Sequence, residues 1–176
     1  PANPLINAGA IALCGLLGGE LEDKLAWIED TAERLFGRRL QVHQRVWVSE
    51  RRTGHRNRAI AHMLKGAGLL TGPIDDVLEA YFALCSLEAT VGDAAHVGAV
   101  LASGGRTPAG VQVLSPRTAA TVVALMATCG LYDESGAHLV ATGMPAKSGV
   151  SGVIIAVVPG RAGVAVCSPR INAKGG

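Results

Sequence analysis

Lys147-Ser148-Gly149 sets a cation and a hydroxyl just ahead of the β-branched run Val153-Ile154-Ile155-Ala156-Val157-Val158. A cation in a cleft lowers the energy of charged states formed there, although most such triplets are simply loops. Two other segments gather amides and a carboxylate. Asn3-Pro4-Leu5-Ile6-Asn7-Ala8-Gly9-Ala10 places asparagines around a proline and at the mouth of a helix of small residues, where an N-cap would account for Asn7 equally well. Ser49-Glu50-Arg51, followed by Gly54-His55-Arg56-Asn57-Arg58, puts a carboxylate and an amide on either side of a turn before a helix. A solvated, capped loop explains that segment too.

These residues need elements to hold them. Residues 6–17 are rich in Ala, Leu and Ile and end at Gly18-Gly19, which predicts a buried helix. Over 23–36, Leu25, Ile28, Ala32 and Leu35 recur at helical spacing and Gly37 follows as a cap. Residues 57–65, with Ile60, Met63 and Leu64 inside, and 75–85, with Val77, Leu78, Tyr81 and Phe82 inside, predict two more helices. A fifth runs over 93–103, and Ser115-Pro116 starts a sixth that Gly130 closes. The runs 153–158 and 164–167 then predict a hairpin, which must lie on other strands or on a helix to be stable. We read the chain as α+β, mainly helical over about 1–130 and an active-site loop plus hairpin over about 131–170, within one partial domain covering 1–176.

Composition narrows the function classes. A chain of 176 residues, 49% of them hydrophobic, is long enough for a real core that buries roughly 70% of the unfolded surface. The net charge is +2 and no run of Lys and Arg exceeds the pairs Arg38-Arg39 and Arg51-Arg52, so neither nucleic acid nor a membrane is an expected partner. No apolar run approaches the roughly 20 residues of a bilayer span. Cys14, Cys85, Cys129 and Cys167 are widely spaced in apolar surroundings, which predicts four buried, reduced thiols in a cytoplasmic protein. His43, His55, His62, His96 and His138 show no metal-ligand spacing and read as surface or satisfied helix residues, and Asp75-Asp76 reads as a helix start. The opening at Pro1 and the soft ending Ala173-Lys174-Gly175-Gly176 suggest truncation at both ends.

The Lys-Ser-Gly triplet resembles the Lys-Thr-Gly of active-site serine enzymes, whose nucleophile lies in Ser-x-x-Lys. No Ser-x-x-Lys occurs in this chain, and neither Ser-Asp-Asn nor Tyr-x-Asn is present to support a penicillin-interacting hydrolase. A closer resemblance spans nearly the whole chain. The blocks at 3–11, 49–60, 81–90, 114–116, 129–136 and 143–152 are similar, in the same order, to those of serine-dependent glutaminases: Asn-Pro-x-x-Asn-Ala-Gly-Ala, Ser-Glu with Arg-Asn, Tyr-Phe-x-x-Cys-Ser, Cys-Gly-x-Tyr-Asp and Pro-Ala-Lys-Ser-Gly-Val. The chain departs from that pattern at Val153, where the family carries a second glycine.

The resemblance implies a β-lactamase/transpeptidase-like fold, a helical subdomain beside C-terminal sheet strands, with part of the sheet missing from this chain. It implies hydrolysis of the side-chain amide of L-glutamine to L-glutamate and ammonia through a serine ester, with no metal and no organic cofactor. By the same resemblance Glu50 holds the α-ammonium, and Asn7, Asn57 and Tyr81 line the pocket and bond the amino-acid head. Tyr132 relays a proton beside the nucleophile, Lys147 stabilises charge, and the backbone N–H of Val150 is one donor of the oxyanion hole. Without the nucleophile this piece is expected to be inactive, and the surface left by missing strands is expected to drive association. The family implies a homo-oligomer, dimer or tetramer. The alternative is a non-catalytic module of the same fold that binds glutamine or a partner chain.

Overall fold

In the computed structural model, residues 3–168 are described. The chain divides into two compact units, the first comprising residues up to Glu33 together with Arg39–Glu88, the second Arg34–Arg38 together with the residues from Ala89 on. The first unit is helical: α1 (Asn7–Gly15), most of α2 (Leu21–Phe36), α3 (Gln44–Thr53), α4 (His55–Gly66) and α5 (Ile74–Cys85). Two short strands, β1 (Gln41–Val42) and β2 (Leu87–Glu88), pair antiparallel with Val42 opposite Leu87.

Apolar residues one and two turns apart make the core of this unit. Ile11 and Cys14 of α1 meet Ala61 of α4 and Val77, Leu78, Tyr81 and Phe82 of α5. The expected inner face of α5 is therefore observed. In α4 the buried positions are Asn57 and Ala61, with Ile60 and Leu64 half-covered, and Met63 is exposed. An amide takes the place that the apolar pattern gave to methionine, which rotates the buried stripe away from Met63. The helix over 7–15 is covered on one side only, since Leu13 and Leu16 are exposed. On α2, Ile28 and Ala32 are buried as expected, joined by Lys24, whose ammonium caps the carbonyls of Leu17 and Gly19 beyond α1.

The second unit carries α6 (Val91–Ala102), α7 (Pro116–Cys129), a 3-10 turn (Tyr132–Glu134), α8 (Ser135–Thr142) and a sheet of β3 (Ala146–Ser148), β4 (Val153–Val158) and β5 (Ala162–Cys167). The strands run antiparallel in the order β3-β4-β5, with Lys147 opposite Ile155 and Val157 opposite Gly163. The hairpin thus leans on both a third strand and a helix. Gly98 of α6 and Gly163 of β5 make that packing possible, because a Cβ on Gly163 would lie 2.1 Å from the backbone N of Ala99. Ser115 caps α7 by accepting from the Thr118 N–H at 3.0 Å.

Several sequence expectations are corrected. The sequence predicts six helices, but α3 and α8 add two among the described residues. The apolar residues of α3, Val46-Trp47-Val48, are consecutive rather than helically spaced, so periodicity does not reveal it. Only Cys14 is buried; Cys129 is partly covered at the end of α7, and Cys85 and Cys167 are exposed at the ends of α5 and β5. Burial pushes the Cys14 thiol up to about 11. His96 and His138 each bury an Nε2 that has no partner among the described residues, so they are not satisfied in the sense expected. Asp75 and Asp76 occupy the first turn of α5 without a side-chain cap. Residues 173–176 lie outside the described residues. Among the described residues no helix is long and apolar enough to cross a membrane.

Thr90 and Asp93 close a capping box on α6, with the Thr90 N–H donating to Asp93 at 2.7 Å and the Asp93 N–H to Thr90 Oγ1 at 3.1 Å. The Arg38 guanidinium also bonds Asp93, its Nε at 2.8 Å, and these bonds hold the carboxyl well below its ordinary range. We predict that Asp93→Asn costs about 1 kcal/mol at neutral pH. A carboxylate with a lowered folded-state pKa stabilises the fold above the unfolded value, about 3.9, and loses that contribution as the pH falls below it. Urea unfolding of the two proteins should therefore differ at pH 7, and the difference should narrow steadily as the pH falls below about 3.9.

Candidate active site

In the first unit, the chain before α1 folds back on its own helix. The Leu5 N–H donates to Asn3 Oδ1 at 2.9 Å, and a Cβ on Gly9 would stand 2.0 Å from the Asn3 carbonyl oxygen, so only glycine admits this approach. The fold-back sets Asn7 as the first residue of α1, with Ile6 at the cap position and no side-chain cap. Asn7 is therefore not a cap. Its amide donates instead to Asn57 Oδ1 at 2.9 Å, across to the buried face of α4. Two residues 50 apart in sequence are thus brought together, as a shared pocket wall requires.

Glu50 lies on α3, a helix rather than the expected loop. Gly54 joins α3 to α4 at close quarters, since a Cβ there would stand 2.7 Å from Phe82 Cζ. Arg51 binds Glu79 at 3.1 Å and stacks on Trp47, while Arg58 lies over Phe82 and bonds the Arg51 carbonyl. These contacts take up the neighbouring cations. Tyr81 is buried on α5, and its phenol is pushed far above its ordinary value, first by burial, then by Cys85 and by the Glu50 charge nearby. The Glu50 carboxylate thus adds to the forces that keep the Tyr81 phenol protonated.

In the second unit, α7 ends at Gly130 against β3. A Cβ on Gly130 would fall 1.8 Å from the Ala146 carbonyl oxygen, and the Ser148 N–H donates to the Gly130 carbonyl at 3.3 Å. Two residues on, Tyr132 adopts φ +56°, the single positive φ outside glycine among the described residues. The Lys147 ammonium sits over the Tyr132 ring, 5.0 Å from its centre, and donates to the Ser148 carbonyl. Burial lowers the Lys147 pKa. Contrary to the sequence reading, Lys147 and Ser148 do not precede the first strand of this sheet but belong to it, as β3.

Ser148 is a buried polar residue to which the sequence reading gives no role. It is 3% exposed and its hydroxyl has no partner among the described residues. A buried hydroxyl without a partner carries a desolvation cost of its own. Val150, by contrast, is 83% exposed. It lies in a turn closed by the Gly149 N–H to Val153 at 2.8 Å and the Gly152 N–H to Gly149 at 2.9 Å. Val153 opens β4 and its carbonyl closes that turn, so the side chain in place of glycine is accommodated. Among the described residues no group of three or more His, Cys, Asp or Glu could hold a metal ion.

A helical unit, with a separate antiparallel sheet under helices whose first strand carries Lys-Ser-Gly, is an α+β architecture of the β-lactamase-like kind. It matches the crystal structure of Bacillus subtilis glutaminase YbgJ in covalent complex with 5-oxo-L-norleucine with a TM-score of 0.95 and 39% identity, over 99% of this chain and 63% of that one. A Bacillus glutaminase crystallised in 4.3 M NaCl matches with a TM-score of 0.93 at 39% identity, over 97% and 59%. A family profile described as Glutaminase matches residues 1–176, and the chain belongs to the glutaminase family. Glutaminases of Legionella pneumophila strain Corby and of Alkaliphilus oremlandii are 53% and 42% identical over 99% of the chain, which spans 57% and 58% of their respective lengths.

Gly130 is the position where the second unit is least forgiving. Gly130→Ala must displace backbone, and we expect a loss of roughly 1–3 kcal/mol in urea unfolding. The same variant should release the Lys147 ammonium from the Tyr132 ring, read as a change in the tyrosine near-UV circular dichroism. Retention of both stability and spectrum would show that the contact is not tight.

Proposed function

We propose that this chain is part of a glutaminase that hydrolyses the side-chain amide of L-glutamine to L-glutamate and ammonia through a serine ester. All 176 residues are read as one partial domain of it. The observation that carries the reading is the Asn7–Asn57 bond, which commits a buried amide to a long-range partner rather than to a helix cap. A substrate with both an α-ammonium and an α-carboxylate needs an anion for the first and amide or phenol donors for the second. Glu50 supplies the anion; Asn7, Asn57 and Tyr81 supply the polar wall.

In the second unit Tyr132 is read as the phenol that relays a proton between the nucleophile and the departing ammonia. Lys147 stabilises negative charge, and the Val150 N–H, in its exposed turn, is one donor to the oxyanion. The Bacillus enzyme reacts with 6-diazo-5-oxo-L-norleucine to give a covalent 5-oxo-L-norleucine complex. That compound has the amino-acid head of glutamine and a carbonyl where glutamine has its amide, which supports the same recognition here. The chain holds no Ser-x-x-Lys, so in this reading the nucleophile comes from sequence outside these residues and the chain alone releases no ammonia. We further read the protein as a cytoplasmic homo-oligomer, a dimer or tetramer.

Ammonia release from L-glutamine, measured for this chain and for a longer form carrying a Ser-x-x-Lys, tests the proposal. Activity confined to the longer form supports it. Glutamine binding without ammonia release in either form supports instead a binding module, the reading that the absent Ser-x-x-Lys favours. In the active form, Glu50→Gln leaves the α-ammonium without its anion and should raise KM about 10-fold or more, with kcat changed far less. An unchanged KM would remove Glu50 from the pocket.

A further inference from the structure

Ser135 opens α8 and is 4% exposed. Its hydroxyl makes two bonds that bracket Tyr132: it accepts from the Leu131 N–H at 2.9 Å and donates to the Tyr132 carbonyl at 2.9 Å. Tyr132 is the residue with φ +56°. That conformation is disfavoured for a non-glycine residue, and it persists only where its surroundings over-determine it. Here they do so from two sides, Ser135 holding the backbone and the Lys147 ammonium lying over the ring at 5.0 Å.

The geometry points to Ser135 as a positioning residue for the reaction: its buried hydroxyl locks the turn that aims the Tyr132 phenol, with Lys147 as the second clamp. The inference rests on the reading that Tyr132 takes part in the reaction. The hydroxyl reaches back across the 3-10 turn to backbone groups three and four residues earlier, a local bond pattern of serine that here falls on the residue with the left-handed backbone. Tyr132 is 37% exposed, so packing holds its ring only in part and the backbone turn carries much of its direction.

The chain has only two tyrosines, so a 13C-tyrosine NMR spectrum gives one signal for Tyr132 and one for Tyr81, the latter serving as reference. In Ser135→Ala the Tyr132 signal should shift and the Lys147 ammonium, freed from its half-buried seat, should titrate at a higher pH, with Tyr81 unmoved. Ser135→Cys, close in size but a weak hydrogen-bond donor, should do the same, and Ser135→Thr, which keeps the hydroxyl, should restore both signals. Unchanged Tyr132 and Lys147 signals in folded Ala and Cys variants overturn the proposal, as does a failure of both variants to fold, which would make the serine a support of the fold rather than of the phenol. In the longer, active form Ser135→Ala should lower kcat about 10- to 100-fold with KM within twofold, and an unchanged kcat overturns the catalytic part. If glutaminase activity is absent from every form while the NMR changes appear, the positioning stands and the activity reading alone fails.

Discussion

The second unit depends on one close backbone approach, that of Gly130 to Ala146. The end of α7 and the first strand of the sheet can touch only because residue 130 has no side chain. From that contact follow the Ser148–Gly130 hydrogen bond, the small core of Leu131, Ala146 and Ala156, and the meeting of Tyr132 with Lys147. Residues 15 apart in sequence share a site because two backbone segments are stitched edge to edge. Side-chain packing then refines what the backbone contact has fixed, and that order explains why bulk at Gly130 should cost more than bulk at an exposed neighbour.

The first unit reaches the same end by a different route. Its candidate residues sit on four helices, α1, α3, α4 and α5, and one amide pair, Asn7 with Asn57, ties the first of these to the third. A buried amide without a partner would cost about 1–3 kcal/mol, so the bond makes burial of Asn57 tolerable and fixes the orientation of both amides. Gly9 and Gly54 perform for this unit what Gly130 does for the other, letting backbone lie against backbone or ring where a Cβ would collide. In each unit, then, glycine sets the separation and polar side chains set the direction.

The parts legible in the sequence were those whose signal is local. Ser115-Pro116 announced α7, Gly37 closed α2, and the β-branched runs after residue 152 announced the hairpin, because caps, turns and alternation act within a few residues. The ordered blocks of the family resemblance marked the glutaminase fold where periodicity could not. Helix α3 was missed because its exposed, arginine-rich face gives no apolar stripe, and β3 because three residues are too few to show alternation. Met63 was placed inside because an amide at 57 does not register as a core residue. Ser135 is distinguished by a bond to a left-handed tyrosine three residues back and Ser148 by a hydroxyl with no partner among the described residues, and neither property is written in the residue type.

The stretch from Tyr132 to Ser148 collects features that each cost stability. Tyr132 holds a left-handed backbone, Ser148 buries an unpaired hydroxyl, and Lys147 keeps an ammonium where burial disfavours its charge. For a lysine whose folded-state pKa is lowered, the cost is present in full below that folded value. It shrinks as the pH rises toward the ordinary lysine value of about 10.4 and is gone above it. Local rules are broken together in this one stretch, while α6, packed on the same sheet, follows ordinary capping. The expense is bearable because it is confined: the glycine contact at Gly130 and the serine at Ser135 hold the strained residues in a narrow frame, and the rest of the unit follows ordinary capping and pairing.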